Sequence, residues 1–305
     1  MISKLPDCIL LHMMNLLKAQ DAVRTCILSK RWKDLCKRLP TLTYIPSCAQ
    51  SLKNFNSWVL SCRDHSCSLL NLTIQFCIQE DEEDLYKLVQ YALSHNLEHL
   101  KVNINPSFKP KSELLPLIFS SHFLTFLDLC YSSNNKNVKC PKSLHLPAVR
   151  TLHLKCVNFV ATHHQYADPF SNCHVLNTLV LDDCSLSEDA QVLCISNYAL
   201  SNLTIFCVTP YQFSLSTPNL SHFTISGSSI FHQLLFSTCN FSFLQQVNMH
   251  GPIYDGKTSI FLTWLQVFAN VKILKVDNYV IQTILRVSYF GILYLLIILS
   301  NHLNM

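Results

Sequence analysis

The stretch GPIYDGKT, Gly251 to Thr258, satisfies the formula G-x-x-x-x-G-K-[ST] in full. In a loop of that form backbone N–H groups wrap phosphates, the lysine reaches them with its ammonium and the Thr hydroxyl holds Mg²⁺. VKILKVD, ending at Asp277, resembles the metal-binding strand of such a site. The chemistry also needs several further parallel strands, and only 47 residues follow Thr258. EDEED, Glu80 to Asp84, has the composition of a cation site, but it opens a helical pattern whose positive end its carboxylates favour. His163 and His164 are adjacent, so their side chains do not converge as ligand pairs do; they read as loop residues. The fifteen cysteines include no C-x-x-C pair, and the tightest spacing is Cys62 to Cys67. Zinc ligation needs clustered pairs. Positions such as Cys26 and Cys207 fall in apolar patterns, as buried free thiols do in a reducing compartment. No G-x-S-x-G occurs, and no Cys/His set is ordered by spacing. The chain therefore reads as a non-enzyme without cofactor or metal, with nucleotide binding through Lys257 the third-ranked alternative.

The elements that would have to position any such chemistry belong to another kind of protein. Hydrophobic residues make up 49% of the 305 residues and charged residues 14%, which excludes disorder for most of the chain. Four glycines are too few for classes built on Gly-rich loops and tight hairpins. The net charge of +4 is uneven: residues 1–44 hold eight Lys/Arg and three Asp/Glu, a net of +5, so the remainder nets −1. No basic stripe interleaved with aromatics is present, so nucleic acid is not the expected partner. No cleavable signal is recognised ahead of the first helix. The N-x-S/T triplets at Asn71, Asn202 and Asn240 are then expected to stay unmodified.

Three short helical patterns open the chain. Pro6 and Asp7 start the first, which carries Ile9, Leu10, Met13, Leu16 and Leu17. Asp21 is the expected N-cap of the second, with Val23, Cys26 and Ile27, and Ser29 of the third, with Trp32, Leu35 and Leu39. A unit of under about 40 residues needs a partner, metal or disulfide to fold stably, and the apolar surface here exceeds what three helices cover among themselves. LPDCILLHMMNLL, then DAVRTCILSKRWKDL, then LPTL resembles the F-box of plant F-box proteins. Cys8 and Lys18 depart from that pattern, standing where an acidic residue and a proline are common. The resemblance implies docking to a Skp-type adaptor and through it to a cullin scaffold in an SCF ubiquitin ligase. By position, Leu5, Pro6, Ile9, Leu10, Leu17, Val23, Leu28 and Trp32 supply or support adaptor contacts.

Beyond it, apolar-x-x-apolar-x-apolar recurs nine times, from Leu69, Leu97, Leu124, Val149, Leu176, Leu200, Leu220, Leu244 and Val271. The gaps run from 20 to 28 residues, within the leucine-rich-repeat period of about 20–29. The second and third apolar residues are two apart and share one face of a short strand. The residue between them points the other way: Thr73, Lys101, Asp128, His153, Val180, Thr204, Thr224, Asn248 and Lys275, eight of the nine polar or charged. Cys184, three after Leu181, falls where the repeat has Asn or Cys to hold the loop backbone. Helical stretches such as DLYKLVQYALSHN and SIFLTWLQVFAN lie between strands. The expected fold class is α/β: an F-box at 1–45, a joining segment at 46–68, and at 69–278 an irregular leucine-rich-repeat solenoid with a curved parallel sheet and convex helices. Its concave polar stripe is the expected target-binding face, omitting only Val180. The chain resembles the plant F-box/leucine-rich-repeat group, related to members with an FBD segment, which is not visible here. This implies a substrate receptor in the cytoplasm, the nucleus or both, with an unidentified target protein; the alternative is a repeat scaffold with a degenerate F-box and no ligase.

Residues 279–305 form a hydrophobic tail. Phe290 to Leu299 is ten residues without charge, short of the roughly 20 a membrane helix needs. Its apolar residues circle a helix. The preferred reading is a foreign or truncated end, ahead of a buried cap and of a membrane anchor.

Overall fold

The computed structural model describes residues 4–46, 52–76, 81–104, 113–131, 138–207, 212–227, 241–251, 264, 267–268 and 271–286. The apolar run 290–299, most of SIFLTWLQVFAN and residues 252–258 of the phosphate-loop formula lie outside them. The chain forms two compact units, Met1–Val138 with His145–Val149, and Lys139–Leu144 with Arg150–Met305.

The first unit begins with α1 (Asp7–Asn15), α2 (Ala19–Arg24), a 3₁₀ turn (Thr25–Ile27) and α3 (Lys30–Cys36). Helices this short are marginal alone; they are held by a core of Leu10, Met14, Ala19, Ala22, Trp32, Leu35 and Leu39. Ser29 caps α3 as expected, its Oγ accepting from the Trp32 N–H at 3.3 Å. Asp21 does not cap α2: Lys18 holds that position, and Asp21 lies inside the helix, paired with Arg24 at 2.9 Å. Arg31 ties α3 to α1, donating from Nε to Asp7 Oδ1 (2.7 Å) and from Nη2 to the Leu5 carbonyl (2.6 Å).

The LPTL segment leads directly into β1 (Thr41–Tyr44). The chain continues through α4 (Leu52–Cys62), β2 (Asn71–Phe76), α5 (Glu82–Leu93), β3 (His99–Ile104), α6 (Leu114–Phe119) and β4 (Phe126–Tyr131). β1, β2, β3 and β4 pair in that order, all parallel. The joining segment thus carries α4, which packs on α5 with Asn56 Nδ2 donating to the Asp84 carbonyl at 2.5 Å. Asp81 caps α5, accepting from the Glu83 N–H at 3.0 Å, and Glu82, Glu83 and Asp84 lie in its first turn, so these carboxylates serve a helix start; Glu80 lies outside the described residues.

The second unit runs β5 (Thr151–Lys155), β6 (Asn158–Phe159), β7 (Tyr166–Ala167), β8 (Thr178–Asp182), β9 (Ser185–Leu186), β10 (Val192–Ser196), β11 (Asn202–Cys207), β12 (Gln212–Ser216), β13 (His222–Gly227), β14 (Gln246–His250), β15 (Ile273–Val276) and α7 (Asn278–Arg286). Its main sheet is parallel, in the order β5-β8-β11-β13-β14-β15. A helix on every return is the expectation, but from β5 to β13 the described returns are extended. β7, β10 and β12 form a second parallel sheet, and β6 pairs with β9. VLCIS and QFSLS alternate with period two, which suits a half-buried strand; LYKLVQYAL spaces its apolar residues three and four apart. Leu152, Leu179, Leu203, Phe223 and Val247 point inward from the main sheet, and Leu193, Ile195, Phe213 and Leu215 are buried on the second. Trp264 lies between the two, 6.2 Å from the Phe213 ring and 6.1 Å from the Phe223 ring. Each such aliphatic side chain contributes about 1.5–3 kcal/mol by leaving water.

Candidate functional site

Apolar residues of α1 fall in two stripes. Leu10 and Met14, four apart, face the core. Ile9, Met13 and Leu16, also at helical spacing, do not: Ile9 is 45% exposed and Leu16 76%. Leu17 is exposed as well, and before α3 Ile27 is 88% and Leu28 63% exposed. A soluble unit this small rarely shows water so many large apolar side chains unless a partner covers them. Of the residues assigned to the adaptor face, Pro6, Ile9, Leu17 and Leu28 are exposed, and Leu5 and Val23 are half-buried. Leu10 and Trp32 are buried and act from beneath by holding the helices. Met13, Leu16 and Ile27 carry the face further than the assignment; the signal for them is that α1 has more apolar positions than one inward stripe uses. Lys18, Arg24 and Lys30 are exposed in the same unit.

The second candidate surface is the outward side of the strands. In the first unit parallel pairing aligns Thr43, Thr73, Lys101 and Asp128 in one row. In the second it aligns His153, Val180, Thr204, Thr224, Asn248 and Lys275. Repeat spacing thus brings each set of predicted positions into register within its unit. Exposure corrects one of them: Asp128 is only 5% exposed and binds the Lys101 ammonium at 2.6 Å. That hydrogen bond holds Lys101 above the usual lysine range. Lys155 and Asp182, neighbours in the next row, pair likewise at 2.6 Å. Spacing alone gives no sign of these pairs, because it states which residues align and not which side chains reach each other. Among the outward row, Thr73, His153, Thr204, Thr224 and Asn248 are half-buried and Lys275 is exposed.

Repeat junctions are closed by small polar groups. The Cys184 thiol donates to the Leu154 carbonyl at 3.3 Å, the role its spacing indicates. Buried Asn197 donates to the Cys173 carbonyl at 2.8 Å. Asp277 is not disposed for a metal: its carboxylate accepts from the Gly251 N–H at 2.7 Å and from the Val280 N–H at 3.0 Å, capping α7. His163 and His164 sit in a tight turn in which His164 and Gln165 have φ of 41° and 70°. Among the described residues no three His, Cys, Asp or Glu gather as metal ligands. Burial pushes the Cys36 and Cys140 thiols up, away from the reactive thiolate form. No described helix is long and apolar enough to cross a membrane.

A three-helix head with an exposed apolar face is followed by parallel strands at repeat spacing. Residues 2–44 match the F-box domain family. Relatives in Arabidopsis thaliana include an F-box/LRR-repeat protein, 28% identical over 243 residues that cover 74% of this chain and 52% of the relative. A putative FBD-associated F-box protein is 26% identical over 271 residues, 86% of this chain and 62% of the relative. An F-box/FBD/LRR-repeat protein is 25% identical over 224 residues, 67% and 46%. The chain is similar to plant F-box/leucine-rich-repeat proteins, and it spans about half the length of the curated relatives it matches.

Proposed function

We propose that this protein is the substrate-recognition subunit of an SCF-type ubiquitin ligase. Residues 1–45 dock a Skp-type adaptor, and through it a cullin; the solenoid at 69–278 presents its outward row to a target protein. The observation that carries the reading is the second apolar stripe of α1 with Ile27 and Leu28, large side chains left in water on a unit that matches the F-box family. An adaptor groove that covers them gains roughly 25 cal/mol per Å². In this reading the transfer chemistry belongs to other subunits of the complex. The contribution of this chain is to hold the target near the transferring subunits, which raises effective concentration. Its site of action is the cytoplasm or nucleus, where an SCF complex works.

The test is co-expression with a Skp-type adaptor followed by size-exclusion chromatography. A stoichiometric complex, assembling further with a cullin, is the expected result. A chain that stays apart from the adaptor while remaining folded is a repeat scaffold without ligase role.

A further inference from the structure

The middle of the second unit's main sheet presents amides and hydroxyls, with Val180 and Phe206 as apolar members of the same face. Thr178, Asn202, Thr204, Thr224, Gln246 and Asn248 point outward from β8, β11, β13 and β14, each half-buried. Lateral hydrogen bonds orient them. Gln246 Nε2 donates to Asn248 Oδ1 at 2.9 Å, and Asn248 Nδ2 donates to Thr224 Oγ1 at 3.0 Å. Asn202 Nδ2 donates to Ser201 Oγ at 2.8 Å and lies 3.3 Å from Asn177 Oδ1 and 3.5 Å from Thr178 Oγ1, so its donors are engaged. A side-chain amide has two donor hydrogens and two acceptor lone pairs, so the bonds of Gln246 and Asn248 leave capacity free towards a ligand.

Fixed charge is nearly absent from the same surface. Among the described outward positions of β8, β11, β13 and β14, Asp182 is the one permanently charged group, and Lys155 neutralises it at 2.6 Å. Lys275 lies at the far strand, β15. A phosphorylated or acidic segment is recognised by clustered Arg or Lys, which these four strands do not present. A charged segment laid here would lose hydration without gaining a counter-charge.

We infer that this face accepts an uncharged segment of the target polypeptide, recognised by amide and hydroxyl hydrogen bonds rather than ion pairs. The inference rests on the outward row being the target-binding face. Pre-oriented amides favour such a ligand because little side-chain freedom is lost on binding.

The test is selection of displayed random peptides, in parallel with a phosphorylated peptide set, on the full chain bound to its adaptor. The selection runs at about pH 8. Enriched peptides should carry no net charge, and their affinity should change less than about threefold between low and high salt. The double variant Thr204→Asp/Asn248→Asp should lower that affinity about tenfold or more while adaptor capture and thermal unfolding stay unchanged. Enrichment of acidic or phosphorylated peptides that the double variant releases would overturn the chemistry and keep the face. Peptides indifferent to the double variant, or no enrichment at all, would overturn both.

Discussion

Arg63 is a charged side chain with almost no access to water, at 3% exposure. Its guanidinium donates to the carbonyls of Leu39 (3.0 Å), Cys67 (2.8 Å) and Ser68 (2.8 Å), and to the Tyr91 hydroxyl at 3.3 Å. It thereby joins the end of α4 to the segments that enter β1 and β2. Arg63→Met leaves three carbonyls without that donor, and each unsatisfied buried group costs about 1–3 kcal/mol. The expected loss is about 3 kcal/mol or more in denaturant unfolding, with Arg63→Lys recovering only part because one ammonium cannot span the fork. Nothing in the sequence marks this residue: arginine in a presumed joining segment reads as solvated, and its Leu39 partner lies 24 residues away. Cys184 also bonds at long range, to a carbonyl 30 residues back, yet its role is legible, because the repeat period states what lies beneath it. Lys101 adds a pH dependence. Its pKa is raised in the fold by the hydrogen bond to Asp128, with burial opposing. The pair's contribution is therefore full below the unfolded lysine pKa, about 10.4, and lost as pH rises through the folded value. Alkaline titration of unfolding should show a stability decline above about pH 10 that Lys101→Met removes. The side chain is 55% exposed, so the effect is small.

Periodicity reads strands well and the segments between them less well. The nine repeat hexamers all coincide with described strands or their immediate approaches, because a two-residue period with one buried face admits little else. β1 escapes that reading: TLTY follows the opening helices so closely that it passes for their end, though it starts the first unit's sheet. The returns β7, β10 and β12 escape it too, since short apolar runs serve helix or strand and only the second sheet decides. Helix ends follow local rules more faithfully. Ser29 caps α3 through a bond made within its own turn, so Ser29→Ala should lower F-box stability by about 1 kcal/mol. Thermal unfolding of that variant checks the value, and Ser29→Asp should restore most of it.

The two surfaces lie in different parts of the chain, and the proposed function gives them different work, so their variants should separate. Changes on α1 should abolish adaptor capture and spare target capture; changes at Thr204 and Asn248 should do the reverse. Pull-downs of both classes side by side check this, and a single class that abolishes both captures would point to global unfolding instead. The central claim is that the apolar face left in water by the three opening helices is an adaptor-docking surface. Calorimetric titration of a Skp-type adaptor into the full chain, compared with Leu16→Asp/Leu28→Asp, tests it most directly. Both side chains are mainly exposed, so thermal unfolding should not change. Two lost apolar contacts of about 1.5–3 kcal/mol each predict an affinity at least about a hundredfold weaker. Wild-type affinity in the double variant would contradict the account.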